Sequence, residues 1–352
     1  MRGGGGLPPA ALAGGPVDEE GADAMAVIFS RAPLRISLGG GGTDLPSYYS
    51  GHGGFLVSGA IDKYVYMLTH TVFQRRYRMK YSELEEVDEV SQIRHPILRE
   101  CLLRHWRGAP LEIASVADVP AGTGMGSSGA YTVCLLKGLA RARYCSISPG
   151  DLAEAACEIE MGVLGEPVGK QDPYVAAHGG ICAYTIHEHG GVEVEPLELE
   201  PGVLRRMRDQ LLLFYTGAAR SASGVLADQD VRSRAGEERM VESLNRTKEL
   251  GRQIHRLLGE GDLEGYAELM HEHWEHKRRR SPGMTNDHID RLYELARRSG
   301  ALGGKLVGAG GGGFLLVYTL RPEETRRAMA AADAPELAFD FEFSGAYAGE
   351  YA

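Results

Sequence analysis

The chain has 352 residues, of which 48 are acidic and 38 are lysine or arginine, giving a formal charge of −10 at pH 7. Its charged fraction of 24% and hydrophobic fraction of 43% are ordinary for a globular protein and exclude a chain that is disordered throughout. The acidic balance argues against nucleic acid as the main partner, because such binding needs a basic surface. The length predicts two domains.

The N-terminal segment, the apolar runs and the cysteines lead to expectations about the protein's cellular compartment. Residues 1–24 are rich in glycine, alanine and proline and end in acidic residues, which predicts a disordered tail without the apolar centre of a signal peptide. No run of about 18 apolar residues occurs, so we expect no membrane span. The five cysteines contain no CxxC pair, which indicates a reducing, cytoplasmic compartment and no zinc framework.

Predicted strands and helices mix without a regular βαβ alternation. We predict strands at 26–30, 34–38, 55–61 and 64–71 (the last two paired around Asp62-Lys63), a helix at 91–107, a strand at 111–117, and helices at 130–144 and 148–161. A loop at 165–174, strands at 180–186 and 211–215, a mostly helical stretch at 221–299, strands at 305–307 and 314–319, a helix at 323–331 and a strand at 338–343 follow. This pattern indicates an α+β protein. A composition shift predicts domains at 25–190 and 191–352.

Two glycine-rich stretches match the loose pattern GxGxxG, at 124–129 and 308–313. A dinucleotide-binding fold needs a strand running directly into the glycines and a helix after them. The first stretch follows a Val-Pro-Ala-Gly loop, and the second precedes a predicted strand. The dinucleotide interpretation therefore fails at both. The motifs of P-loop proteins and of protein kinases are also absent from the sequence.

The run Pro120-Ala-Gly-Thr-Gly-Met-Gly-Ser-Ser-Gly-Ala130 leads into a predicted helix. Successive glycines let backbone N–H groups point into one concavity, and the helix start adds partial positive charge, so the run can hold an oligophosphate. The serine hydroxyls can contact phosphate or a metal ion. A glycine turn with a serine helix cap is the structural alternative.

This run resembles the second motif of the GHMP kinases, a superfamily named for galactokinase, homoserine kinase, mevalonate kinase and phosphomevalonate kinase. The first motif is matched by RAPLRISLGGGGTD at 31–44, and the third by KLVGAGGGGF at 305–314. The order and spacing agree over most of the chain. The resemblance implies two α+β domains, an N-terminal one with a left-handed βαβ crossover and a ferredoxin-like C-terminal one, with ATP and the acceptor bound between them.

The resemblance also implies residue roles. Asp172 matches the catalytic aspartate and Arg35 the cation that pairs with it, although alone they could be a helix cap and a surface arginine. Ser128 and Glu160 match the Mg²⁺ ligands, although a helical glutamate is more often solvated. The expected ATP-binding residues are Pro120, Gly122, Gly124, Met125, Gly126, Ser127, Ser128 and Gly129. The expected acceptor-binding residues are Gly41, Gly42, Thr43, Asp44, Lys170, Arg220, Ser221, Lys277, Arg280, Gly311 and Gly312.

Within the superfamily, segments such as GKQDPYVAAHGG and HEHWEHKRRRS resemble the D-glycero-D-manno-heptose 7-phosphate kinases. This implies an ATP- and Mg²⁺-dependent kinase that phosphorylates a sugar phosphate at O1. A basic run such as 277–280 could equally be a solvated face, and the histidines at 271, 273 and 276 are interpreted as surface or supporting residues. A kinase of a phosphate-free sugar such as L-fucose and a non-catalytic sugar and ATP sensor are the alternatives. The sequence is compatible with a homo-oligomer.

Overall fold

The computed structural model describes residues 26–217 and 223–351. Its strands are β1 (Val27–Gly39), β2 (Gly54–Thr71), β3 (Tyr77–Lys80), β4 (Leu84–Val87), β5 (Leu111–Ala117), β6 (Ile181–Ile186), β7 (Val192–Pro196), β8 (Leu211–Tyr215), β9 (Ala301–Leu306), β10 (Phe314–Thr319) and β11 (Tyr347–Tyr351). Its α-helices are α1 (Pro46–His52), α2 (Pro96–His105), α3 (Ser127–Ala142), α4 (Pro149–Cys157), α5 (Gln171–His178), α6 (Pro201–Gln210), α7 (Ser223–Arg234), α8 (Glu238–Glu260), α9 (Leu263–Lys277), α10 (Asp287–Arg298) and α11 (Pro322–Ala331). The predicted α+β class is confirmed.

The larger sheet has eight strands and is built around β2. Its strand order is β11-β1-β2-β5-β3-β4, and β6 and β7 extend it beside the first half of β2. The predicted hairpin around Asp62-Lys63 is wrong, because β2 continues through it as one strand. Residues 54–59 pair with β6 and residues 65–71 pair with β5, so β2 changes partners there instead of turning.

The smaller sheet has three antiparallel strands in the order β8-β10-β9. Its apolar face packs against helices α9 and α10 through Phe214, Trp274 and Tyr293. The predicted strand at 338–343 is wrong, since the segment makes only an isolated bridge between Ile61 and Phe341. The chain continues to β11, which pairs with β1 and forms an edge of the larger sheet.

Helix boundaries follow local chemistry. The predicted helix at 91–107 begins only at Pro96, because the ring of His95 accepts a hydrogen bond from the Leu98 amide and caps it there. Helix α4 begins after Ser148, whose hydroxyl accepts from the Asp151 amide, and it continues into a wider π-helical turn, Glu158–Val163. Such turns are frequent at functional sites, and this one carries Glu160.

The proposed division near residue 190 falls inside the β6–β7 hairpin of the larger sheet. The chain therefore leaves this sheet after Pro196 and returns to it at Tyr347. A division after β7, with β11 assigned to the first part, fits the sheets better. Within the described ranges, no helix is long and apolar enough to span a membrane.

Candidate active site

Arg35 and Asp172 form a partly buried ion pair. Arg35 lies in β1, and Asp172 lies in the first turn of α5, not in the predicted loop. Arg35 Nε and Nη2 lie 2.8 and 2.7 Å from the same carboxylate oxygen, Asp172 Oδ1. Arg35 Nη1 donates to the Gly124 carbonyl. The arginine thus holds one carboxylate oxygen and leaves Oδ2 without a hydrogen-bond partner among the described residues.

A first pocket, the glycine-loop pocket, lies along the loop before α3. Helix α3 begins at Ser127 after Gly126, which has no side chain to cap it, so the amides of its first turn remain available to an anion. Aromatic side chains also line this pocket, with His95 stacked on Tyr131 at 5.0 Å between ring centroids. Its wall includes Tyr81, His95, Asp118, Val119, Pro120, Ala121, Gly122, Gly124, Gly126, Ser127, Ser128, Tyr131, Glu166 and Asp172.

The second and third glycine motifs pack backbone against backbone. A Cβ on Gly308 would lie 2.5 Å from the Gly124 Cα, and a Cβ on Gly124 would lie 2.6 Å from the Val307 carbonyl oxygen. Both glycines have positive φ, which side chains disfavour. The third motif therefore buttresses the glycine loop through Gly308.

Ser128 and Glu160 lie side by side where the resemblance implies metal ligands. Glu160 is 2% exposed, and its Oε1 has no hydrogen-bond partner within the described part of the chain, nor has the buried Ser127 hydroxyl. Burial raises the pKa of Glu160 to about 7, with the Ser128 and Thr132 hydroxyls acting in the opposite direction. An orphaned carboxylate oxygen beside a serine hydroxyl suits a hard cation such as Mg²⁺.

A second pocket, the cationic pocket, adjoins the first. Both pockets are lined by Arg35, Val168, Asp172, Leu226, Gly308 and Ala309. Asp172 therefore stands at the junction, facing a ligand in either. The rest of the cationic pocket is formed by Ser37, Gly41, Gly42, Asp44, Leu45, Gly169, Gln171, Gln229, His273, Lys277, Arg280, Lys305 and Leu306.

Three buried basic side chains give the cationic pocket its name: Lys277, Arg280 and Lys305 are 8%, 7% and 2% exposed. Lys277 donates to the Gly308 carbonyl, and Lys305 lies 3.5 Å from the Ser37 hydroxyl. None forms an ion pair with a carboxylate of the described residues. Burial is the main cause that lowers the pKa of Lys277 to about 7 and that of Lys305 well below its usual range.

The Arg280 guanidinium is hydrogen-bonded through two of its three nitrogens. Its Nε donates to the Ser243 hydroxyl at 3.0 Å and its Nη2 donates to Thr247, while the buried Nη1 has no partner in the ranges described. Nη1 lies beside Gly42, where a Cβ would approach it to 3.3 Å. The absence of a side chain at Gly42 thus leaves this nitrogen room for a ligand.

Two residues of the basic run 277–280 line the cationic pocket, and the other two face away from it. Lys277 and Arg280 point into the pocket, whereas Arg278 pairs with Glu275 and Asp290. Arg279 is exposed, with Glu275 as its ion-pair partner. The interpretation of the whole run as a solvated face therefore holds for only half of it.

Asp44 supplies the acidic side of the cationic pocket. Its Oδ1 accepts from the Gly42 amide and its Oδ2 from the Gln171 amide, both at 3.1 Å. Burial, followed by the nearby charge of Asp172, raises the pKa of Asp44. Fixed by two amides, this carboxyl can receive hydrogen bonds from acceptor hydroxyls.

Two residues that were predicted to bind the acceptor, Thr43 and Lys170, do not line the cationic pocket. The Thr43 hydroxyl lies within hydrogen-bond distance of the backbone carbonyl oxygens of Gly40 and Phe55, at 2.9 and 3.0 Å, so it supports the loop from inside and does not line the pocket. Lys170 is paired with Glu154 at 2.6 Å and also donates to the Gly190 carbonyl, facing another depression. In this structure neither side chain faces the cationic pocket, so their contacts with the acceptor stay predictions that its geometry does not support.

Most of the remaining predicted site residues do not present a side chain to either pocket. Gly311 and Gly312 lie beyond the walls of both pockets, where Gly308 and Ala309 take their place. Met125 is fully buried and contributes its carbonyl, which accepts from the Arg35 amide. Gly129 packs against Asp172 instead of lining the pocket, since a Cβ there would lie 2.7 Å from the Asp172 Cβ. Arg220 and Ser221 lie outside the described residues.

Sequence reasoning missed Lys305 and His273 and gave no role to Gln229. Lys305 belongs to the third motif but received no role, and His273 was interpreted as a surface or supporting residue. The spacing of His273, Lys277 and Arg280, by four and then three residues, was the available signal, since it places them on one face of a helix. That face points inward.

An anion-binding loop that meets a hydroxyl-binding pocket at a carboxylate defines a phosphotransferase with a hydroxyl acceptor. Residues 95–180 match the GHMP kinases N terminal domain, and residues 254–334 match the GHMP kinases C terminal domain. The chain belongs to the GHMP kinases, and in class it is a sugar kinase of that family.

Known proteins agree with this assignment. A D-glycero-alpha-D-manno-heptose 7-phosphate kinase of Campylobacter jejuni is 26% identical over 311 residues, which cover 84% of this chain and 90% of that protein. A bifunctional fucokinase/GDP-fucose pyrophosphorylase of Arabidopsis thaliana is 25% identical over 84% of this chain but only 30% of its own length. A crystal structure of a D-glycero-D-manno-heptose 1-phosphate kinase from Bacteroides thetaiotaomicron has the same fold, with a TM-score of 0.75, 24% identity and coverage of 92% of this chain and 99% of that one.

Proposed function

We propose that this protein is an ATP- and Mg²⁺-dependent kinase that transfers a phosphoryl group to O1 of D-glycero-D-manno-heptose 7-phosphate. The single observation that carries the choice of a phosphorylated acceptor is the set of buried cations Lys277, Arg280 and Lys305, which have no carboxylate partner among the described residues. The printed name of the Campylobacter jejuni relative supports the particular sugar.

A phosphate explains why these basic side chains are gathered in one cavity. Burying an unpaired charge costs several kcal/mol, and for this reason the pKa values of Lys277 and Lys305 are lowered in the ligand-free protein. A bound anion stabilises their charged forms, so the cavity suits an anionic ligand. A phosphate monoester brings a charge close to −2 and three acceptor oxygens. The open Nη1 of Arg280 beside Gly42 provides a donor for one of those oxygens. The acceptor's own phosphate is therefore the partner that the cationic pocket lacks.

The glycine-loop pocket suits the donor nucleotide. The uncapped first turn of α3 offers its amides to the triphosphate, and Tyr131 with His95 offers a flat surface to the base. Ser128 and Glu160 would hold Mg²⁺, which neutralises phosphate charge when bound. The described residues contain no cluster of three or more acidic, histidine or cysteine side chains fit to hold a metal. Such a shortage is usual for Mg²⁺, because nucleotide oxygens and water complete its coordination.

At the junction of the pockets, Asp172 is the general base. Its Oδ1 is held by Arg35, so Oδ2 is free to accept the proton of the acceptor hydroxyl as the oxygen attacks phosphorus. O1 of a sugar is the most acidic hydroxyl, because the ring oxygen withdraws electrons from its carbon. Arg35 orients the carboxylate through its two contacts with Oδ1. Asp44 and the loop at Gly41–Gly42 position the sugar.

A phosphate-free sugar such as L-fucose is the second candidate, and the similarity to the bifunctional fucokinase favours it. A neutral sugar would leave Arg280 and Lys305 unpaired in the complex, which is why we rank it second. The presence of both Asp172 and Arg35 in a direct ion pair argues against a non-catalytic sensor.

The proposal is tested by measuring ADP release with a panel of acceptors. The panel holds heptose 7-phosphate, the phosphate-free heptose, hexose 6-phosphates and L-fucose, each assayed with ATP and Mg²⁺. We expect kcat/KM for heptose 7-phosphate to exceed that for the phosphate-free heptose by about 10² or more, the value of one or two charge-assisted hydrogen bonds. A higher kcat/KM for L-fucose would favour the second candidate. Binding of sugar and ATP without ADP release would favour the sensor.

A further inference from the structure

His273 is a buried side chain with unmet hydrogen bonds. It lies in α9, one turn before Lys277, and is 1% exposed. Both of its ring nitrogens, Nδ1 and Nε2, have no hydrogen-bond partner among the described residues. Buried polar groups are nearly always paired, and leaving one unpaired costs free energy. The side chain lines the cationic pocket, so a ligand there can supply the missing partner.

The surroundings of His273 decide which kind of ligand group fits. Burial, followed by the charges of Lys305, Lys277 and Arg280 and by the neighbouring His276, holds the pKa of His273 well below its usual range. The ring is therefore neutral at pH 7, with one nitrogen that donates and one that accepts. A phosphate dianion only accepts, so it can pair with the protonated nitrogen alone. A hydroxyl group both donates and accepts, so sugar hydroxyl groups can pair with either nitrogen, and two of them can satisfy both.

We infer that His273 is a specificity-determining residue that reads a hydroxyl group of the acceptor sugar. This inference rests on the proposed function, because it takes the ligand of the cationic pocket to be a sugar. The pocket then divides its work: Arg280, Lys277 and Lys305 hold the phosphate, while His273 and Asp44 recognise hydroxyl groups.

The test is the variant His273→Leu, which removes both ring nitrogens at similar volume. We expect KM for heptose 7-phosphate to rise by about tenfold or more, with KM for ATP within about twofold and kcat little changed. The melting temperature of the ligand-free protein should rise by about 2 °C or more, because an unsatisfied polar group leaves the core. His273→Gln, which keeps a donor and an acceptor, should recover part of the acceptor affinity.

His271→Leu is the matched control on the same helix. His271 bonds the Tyr293 hydroxyl and stacks on its ring, so we expect this change to lower the melting temperature and leave the acceptor KM unchanged. An acceptor KM within threefold of wild type in His273→Leu would overturn the inference while leaving the kinase assignment intact. Failure of the wild-type protein to phosphorylate any sugar in the panel would instead overturn the proposed function itself.

Discussion

Replacing the carboxylate at the junction of the two pockets should nearly abolish turnover. For Asp172→Asn we expect kcat to fall by about 10² to 10⁴, the usual contribution of a general base. The amide keeps the shape of the side chain but cannot take the proton from the attacking hydroxyl. Arg35 would also lose its ionic partner at Asp172 Oδ1. KM for ATP should stay within about threefold, because the amides of the glycine loop are unaffected.

The loss must be separated from misfolding. Asp287→Asn is a matched control, since Asp287 is likewise an aspartate in the first turn of a helix but is exposed and outside both pockets. We expect the control to retain wild-type kcat. Steady-state ADP release, with the melting temperature of each variant, supplies the comparison. A folded Asp172→Asn protein with full turnover would exclude Asp172 as the base.

Removing the guanidinium of Arg280 should have the second largest effect. For Arg280→Met we expect KM for heptose 7-phosphate to rise by about 10² to 10³, equivalent to about 3 to 4 kcal/mol, because the variant loses both the positive charge and the Nη1 hydrogen bond to the phosphate. KM for ATP should change little, because Arg280 lines only the cationic pocket. For the phosphate-free heptose, kcat/KM should fall much less. The difference in kcat/KM between the two sugars would therefore become smaller.

The neighbouring arginine provides the control for this change. Arg279 carries the same charge one position earlier, but it is exposed and pairs with Glu275. Arg279→Met should therefore leave both KM values within about twofold of wild type. Equal losses for the phosphorylated and the phosphate-free sugar in Arg280→Met would mean that Arg280 does not bind the phosphate. Kinetics with both sugars on the three proteins decide the matter.

The parts of the site that follow from sequence are those whose local geometry demands particular residue types. The glycine loop needs backbone freedom at Gly124 and Gly126, which have positive φ, and it needs a helix directly after it. The resemblance pairs Arg35 with Asp172, although they are far apart in the chain. In the structure Arg35 Nε lies 2.8 Å from Asp172 Oδ1.

The parts that sequence reasoning missed depend on tertiary packing. Lys305 and His273 lie in regular elements, where a polar residue is expected to face solvent unless the packing of the helix or strand is known. Thr43 and Lys170 sit beside true pocket residues, yet their side chains turn toward Phe55 and Glu154. A sequence does not show which of two neighbouring side chains points into a pocket.

The fold shows the same division. The strand at 211–215 and the helix near 323–331 follow from composition and periodicity, and the structure has both. The hairpin predicted around Asp62-Lys63 fails because those polar residues mark a change of partner strand in β2, from β6 to β5. Pairing between distant strands decides this, and the local sequence carries little information about it.

The most direct test is ³¹P NMR of the product formed from heptose 7-phosphate and ATP by the wild-type protein. If Asp172 at the pocket junction takes the proton from O1 as O1 attacks the terminal phosphorus of ATP, a second sugar phosphorus signal will appear that is coupled to the anomeric proton, in equal amount to the ADP formed. A new phosphorus coupled to any other sugar proton, or ADP formed without a second sugar phosphate, would contradict the account.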